Sequence, residues 1–125
     1  RGDLQGASRI MSFALEQIRE AIGDAAALRL IEARGGTTVF VPGEPRDGQI
    51  LADIVGLDAA RELASRWGKE YLMVPLAIEW RIDMLLAEGL SAPEVARRLG
   101  VHEDRVRRRR RKVGVASSQM DLFQP

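Results

Sequence analysis

The sequence predicts a mainly α-helical chain in two parts: a helical N-terminal dimerisation domain carrying two short β-strands, then a C-terminal helix-turn-helix. Three observations predict it. Leu90 to Lys112 has the caps and apolar spacing of two short helices joined at a glycine. An alanine-rich helix followed by a short apolar strand occurs twice, 33 residues apart. The charge is also divided. Residues 1–75 carry nine basic and eleven acidic side chains and residues 76–125 carry ten and seven, so the net charge of +1 hides a basic C-terminal part. The expected boundaries are 1–75 for the N-terminal domain, 76–113 for the helix-turn-helix domain and 114–125 for a flexible tail.

Taken in order, Ser8 to Ile22 reads as an amphipathic helix with Ile10, Phe13, Ala14, Ile18 and Ile22 on one face, a spacing that points to core or dimer contacts. The repeat follows. Gly23 to Pro42 and Gly56 to Pro75 share Gly23/Gly56, Ala26/Ala59, Ala27/Ala60, Leu30/Leu63, Gly35/Gly68, Val41/Val74 and Pro42/Pro75. Each unit is a helix stopped at glycine, then an apolar strand closed by proline. Asp24 and Asp58 are placed to cap the two helices. Two copies are too few for a solenoid, which points to pairing. Two five-residue strands are marginal alone in water. The strand residues Thr37, Thr38, Val39, Phe40 and Val41, with Tyr71, Leu72, Met73 and Val74, therefore either form a ribbon within one chain or meet a second chain in a homodimer. Between the units, Gly43 to Gly48 is turn-rich, and Asp47 is placed to cap a short helix over Gly48 to Val55.

Past Pro75, Leu76 to Glu88 reads as a helix with Ile78, Ile82, Leu85 and Leu86 inward, stopped at Gly89. Ser91 caps a helix over Ala92 to Leu99, and Gly100 takes the left-handed turn that ends it. A second helix begins near His102. Val95, Leu99, Val101 and Val106 form the small core, and Ala96 lets the two helices cross closely.

The second helix carries the chemistry. Arg97 to Lys112 holds nine basic residues against Glu103 and Asp104, and Arg107 to Arg111 are five consecutive arginines that repel one another without an anion. The partner such a segment implies is a polyanion, with double-stranded DNA first. If the helix enters a major groove, His102, Glu103, Arg107, Arg108 and Arg111 share or border the face that meets base edges. Ser91, Arg97, Arg98, Arg105, Arg109, Arg110 and Lys112 are better placed for phosphates. Two other classes fit the same residues: an arginine-rich RNA-binding helix, and a structural or assembly protein of a phage-like element.

Catalysis is not expected. His102 is the only histidine and there is no cysteine, no cluster has metal-ligand spacing, and Gly35-Gly36 follows a helix rather than preceding one as a phosphate cradle does. No cofactor or metal is implied. The longest apolar runs are too short to span a bilayer and no signal peptide is recognisable, so no membrane partner and a cytoplasmic location are the expectation.

The order of a Gly-Gly-strand-Pro unit, a connector and a C-terminal helix-turn-helix resembles the Mor (middle operon regulator) family of phage Mu-like transcription activators. The matching stretches are Gly35-Gly36-Thr37-Thr38-Val39-Phe40-Val41-Pro42, its copy ending at Pro75, and Leu90 to Lys112. The resemblance implies a homodimer that assembles through its N-terminal domain, binds an inverted-repeat promoter element and recruits RNA polymerase. The chain departs from that pattern in its doubled helix-strand unit. It has His102 where Ser or Thr often opens the recognition helix, and Arg109 where an apolar residue usually anchors it. That last departure leaves the helix pinned through Val106 and Val113.

Overall fold

The structure, a computed structural model, describes residues 10–12 and 15–122, with side chains described for residues 15–114. The chain divides into two compact units, Arg1–Ala77 and Ile78–Pro125.

In the first unit, strand β1 (Ile10–Ser12) is followed by α1 (Leu15–Arg34), β2 (Thr38–Val41), α2 (Ile50–Val55), α3 (Leu57–Trp67) and β3 (Glu70–Met73). The sheet order is β1-β3-β2. β1 runs parallel to β3 with Ile10 opposite Tyr71. β2 runs antiparallel to β3, with Thr38 opposite Met73 and Val41 opposite Glu70. The two strands of the repeat thus pair with each other inside one chain.

The repeat is longer than the sequence identities indicate. Gly23 breaks α1 at φ 83°, ψ 164°, and Gly56 separates α2 from α3 at φ 94°, ψ 155°. That region of backbone space is essentially closed to any side chain. Each unit is therefore helix, glycine break, helix, strand. The core follows the same 33-residue offset: Ile18 and Leu51, Ala27 and Ala60, Leu30 and Leu63, and Val41 and Val74 are all buried. The backbone hydrogen bonds trade places in the same way. Gly36 N–H donates to the Val74 carbonyl at 2.8 Å, and Lys69 N–H, the equivalent position, donates to the Val41 carbonyl at 2.6 Å. Lys69 adopts φ 70° to do so, where its equivalent Gly36 has φ 82°. Val39 opposite Leu72 is a pair that the offset maps onto itself, so an internal two-fold axis passes through it.

Three expectations need correction here. Residues 10–12 form a strand, and the helix begins at Leu15. The backbone of Ile10–Ser12 pairs with Tyr71–Met73 of β3, a non-local contact that local helical periodicity cannot register. Phe13 and Ala14 lie outside the described residues. Asp24 and Asp58 are not the caps. Glycine holds the cap position, with no side-chain cap bond at Gly56, while Asp24 pairs with Arg19 at 2.7 Å across the break and Asp58 sits in the first turn of α3. Asp47 does not cap α2 either. Gln49 is its N-cap residue, and the Gln49 side chain accepts from Arg46 N–H at 2.9 Å.

The second unit is three helices: α4 (Ile78–Ala87), α5 (Ala92–Leu99) and α6 (Glu103–Leu122). Ile82, Leu85, Ala92, Val95, Ala96 and Val106 form its core, with Ile78, Leu86, Leu90, Leu99 and Val101 packed around them. α6 continues to Leu122 where a tail from residue 114 is expected. Val115 to Leu122 contains no proline and includes Ala, Gln, Met and Leu, so nothing local stops a helix already running. Among the described residues no helix is long and apolar enough to cross a membrane.

Candidate nucleic-acid interface

The interface is assembled from the start of α5 upward. Ser91 Oγ accepts from Glu94 N–H at 3.4 Å while Ser91 N–H donates to Glu94 Oε1 at 2.8 Å, a reciprocal capping box. Pro93 fits the first turn because the missing donor is unneeded there. Gly100 closes the helix at φ 72°, ψ 34°, and both Gly100 and Val101 donate to the Ala96 carbonyl, at 2.9 and 3.1 Å. The chain then turns into α6, whose first turn is capped by His102. Its Nδ1 accepts from Asp104 N–H at 3.2 Å, the role that a Ser or Thr hydroxyl fills in other helices.

Burial of Val106 fixes how α6 is rotated. Val106 is fully buried, and at 100° per residue this sends Arg108 and Arg111 to the opposite side, where both are exposed. Arg107 borders that face and is ion-paired with Glu103 one turn earlier. Lys112 is exposed beside it.

The other flank is different. Arg109 donates from Nε to Asp83 Oδ1 at 2.8 Å and from Nη2 to Asp83 Oδ2 at 2.6 Å, a bidentate pair with α4. Arg105 Nε reaches Glu79 at 3.0 Å. Glu79 and Asp83 are four apart on α4 and Arg105 and Arg109 four apart on α6, so one turn of each helix aligns two rungs. The Arg109 guanidinium, hydrogen-bonded by the Asp83 carboxylate, is held above its ordinary pKa and stays charged.

The remaining expected site residues are placed as follows. Arg105 and Arg109 are ion-paired with carboxylates of their own unit, Arg105 with a side chain that remains 44% exposed and Arg109 with one that is 24% exposed. Arg109 ties α6 to α4 through its two bonds to Asp83. The Ser91 N–H and Oγ are both engaged in the capping box with Glu94, whose pKa is lowered chiefly by the Ser91 backbone hydrogen bond. His102 commits Nδ1 to the helix cap, leaving Nε2 to face outward. Arg97 and Arg98 are exposed on α5. Arg110 lies toward α4 and lines a groove of about 330 Å³ with Asp83, Leu86, Ala87, Val113 and Gly114.

The strand residues also divide. Val39, Val41, Leu72 and Val74 are buried in the unit's own core. β3 is flanked on both edges, which leaves Tyr71 to Met73 no free strand edge. Phe40, Tyr71 and Met73 are exposed, with the Phe40 and Tyr71 rings 5.1 Å apart and tilted. Among the described residues no group of three or more His, Asp or Glu is placed to hold a metal ion. Neither protein-family models, curated proteins nor solved structures give a match to this chain.

Proposed function

We propose that the chain is a double-stranded DNA-binding transcriptional regulator. In this reading 92–112 is a helix-turn-helix, α6 is its recognition helix, and a homodimer reads an inverted-repeat site. The observation that carries the reading is the rotation of α6. Its apolar and carboxylate-paired side is turned inward by Val106 and Arg109, and Arg108 and Arg111 project from the opposite side. A helix so anchored presents arginine to a groove without first having to fold.

The first turns of the helix enter the major groove, where arginine pairs with guanine O6 and N7. Arg107, Arg108 and Arg111 take base edges, with Glu103 and the outward His102 nitrogen at their border. Arg97, Arg98, Arg110 and Lys112 hold phosphates and set the register. The resemblance to the Mor family supports activation through RNA polymerase as the regulatory outcome. The RNA reading has less support, because it calls for an arginine-rich helix that forms on its ligand, and α6 is already fastened to α4.

Selection from randomised duplex DNA, at low and near-physiological salt, tests the proposal. An enriched inverted repeat supports it and gives the half-site spacing. Recovery of duplexes without any common motif, lost as salt rises, would leave α6 as a polyanion clamp and remove the sequence-reading role.

A further inference from the structure

His102 is the only histidine of the chain. It stands in the turn between α5 and α6, with its side chain 80% exposed. Its two ring nitrogens have different surroundings. Nδ1 lies 3.2 Å from the backbone nitrogen of Asp104, whose N–H donates to it. The Asp104 carboxylate is further away, with Oδ2 3.6 Å from Nδ1, which is too long for a hydrogen bond. Because a backbone N–H can only donate, Nδ1 is an acceptor.

In a neutral imidazole the accepting nitrogen carries no proton and the other nitrogen must carry it. The helix cap therefore places the proton on Nε2, at the far end of an exposed ring. We propose that His102 reads guanine in the major groove, its Nε2–H donating to the N7/O6 edge, and that the cap of α6 sets this choice by holding one tautomer. The proposal rests on the DNA-binding reading and gives it the base preferred at one contact.

Groove chemistry makes the tautomer matter. Guanine presents two neighbouring acceptors in the major groove, N7 and O6. Adenine sets its N6 amino group beside N7, and cytosine offers only its N4 amino group. A donor at Nε2 therefore suits guanine and opposes cytosine. With the proton on Nδ1 instead, Nε2 would become an acceptor, and preference would turn to the amino groups of adenine and cytosine. That tautomer would also set an N–H against the Asp104 N–H and undo the cap. A doubly protonated ring loses the cap too, but its Nε2 is still a donor. Glu103, the following residue, is ion-paired with Arg107, so the residues on either side of the cap bond have separate partners.

Two measurements test the proposal. The first is long-range proton–nitrogen correlation of the imidazole in the free full chain at alkaline pH, where a single histidine leaves no ambiguity of assignment. A protonated Nε2 and a bare Nδ1 are expected, and a proton mainly on Nδ1 would overturn the proposal. The second is selection from randomised duplex DNA with wild type and His102→Ser. Serine supplies a cap oxygen of its own, so His102→Ser is expected to melt as wild type does while losing the outward donor. Wild type should enrich guanine at one position of each half-site. His102→Ser should lose about fivefold of that preference, the worth of one net hydrogen bond, and keep the rest of the motif. A motif that His102→Ser leaves unchanged would overturn this proposal alone and leave the DNA reading standing, as would adenine or cytosine at the position that depends on His102. Wild type without any motif would sink the DNA reading and the base contact together, whatever tautomer the ring shows.

Discussion

Arg105 and Arg109 leave α6 toward α4, where Glu79 and Asp83 receive them at 3.0 Å and at 2.6–2.8 Å. Arg108 and Arg111 leave the same helix on the other side and stand exposed. Four residues of one type, within two turns, thus do opposite work. The first pair is ion-paired with carboxylates inside the unit, and the second pair extends into solvent. A basic run is therefore not one feature. Its members are sorted by the rotation that Val106 imposes, and each can be tested separately.

The comparison breaks most completely if the pose of α6 is lost. Ala96→Leu forces a larger side chain into the closest approach of α5 and α6, where Ala96 is 7% exposed. Overpacking of this kind costs about 1–3 kcal/mol, a large share of what a unit of this size can hold. Hydrogen exchange should show α4 to α6 losing protection while α1 to α3 keep theirs. Arg109→Ala comes next. Its guanidinium is only 24% exposed and its Asp83 partner 31%, so losing the bidentate pair is expected to cost about 1–2 kcal/mol. A double-mutant cycle with Asp83→Asn should return most of that as coupling.

The outer arginines should behave in the reverse manner. Arg108→Ala and Arg111→Ala are expected to leave stability within about 0.5 kcal/mol of wild type and to weaken duplex binding. If the lost contact is to a base, preference relaxes at one position. If it is to a phosphate, all sequences weaken alike and the salt slope falls by about 0.9.

The smallest expected effect concerns acid. Glu94 has a folded pKa below its unfolded one, so its capping contribution is complete above the ordinary carboxylate range and is lost as pH falls through the lowered value. Glu94→Gln should flatten the acid side of the melting profile for the C-terminal unit. An unchanged profile would remove the box from the account of how α5 is held.

Much of the C-terminal unit could be read from the chain because its signals are local. Ser91 and Gly100 bracket α5 at Ala92–Leu99, the span the sequence indicates. The Ser91-to-Glu94 spacing is itself a capping-box signature, and the reciprocal bonds it announces are present. The two rungs between α4 and α6 needed a different reading. Glu79 with Asp83 and Arg105 with Arg109 are four apart in each helix, but nothing short of the fold brings residues 26 positions distant together. β1 was hidden for the same reason: three residues carry little periodicity, and a non-local edge decides their state. The repeat was visible as identities, whereas its extension through Ile18 and Leu51 rests on matching burial, which conserves size and polarity without conserving the residue.

The most direct test of the central claim is the salt dependence of duplex binding by the full chain, measured side by side for wild type, Arg108→Ala/Arg111→Ala and Arg109→Ala. The account requires the double variant to fold as wild type does and bind weakly with a shallower slope. It requires Arg109→Ala to lose stability first and to recover wild-type slope under conditions that refold it. Full-strength binding by the folded double variant would contradict the account and place the DNA-facing side of α6 elsewhere.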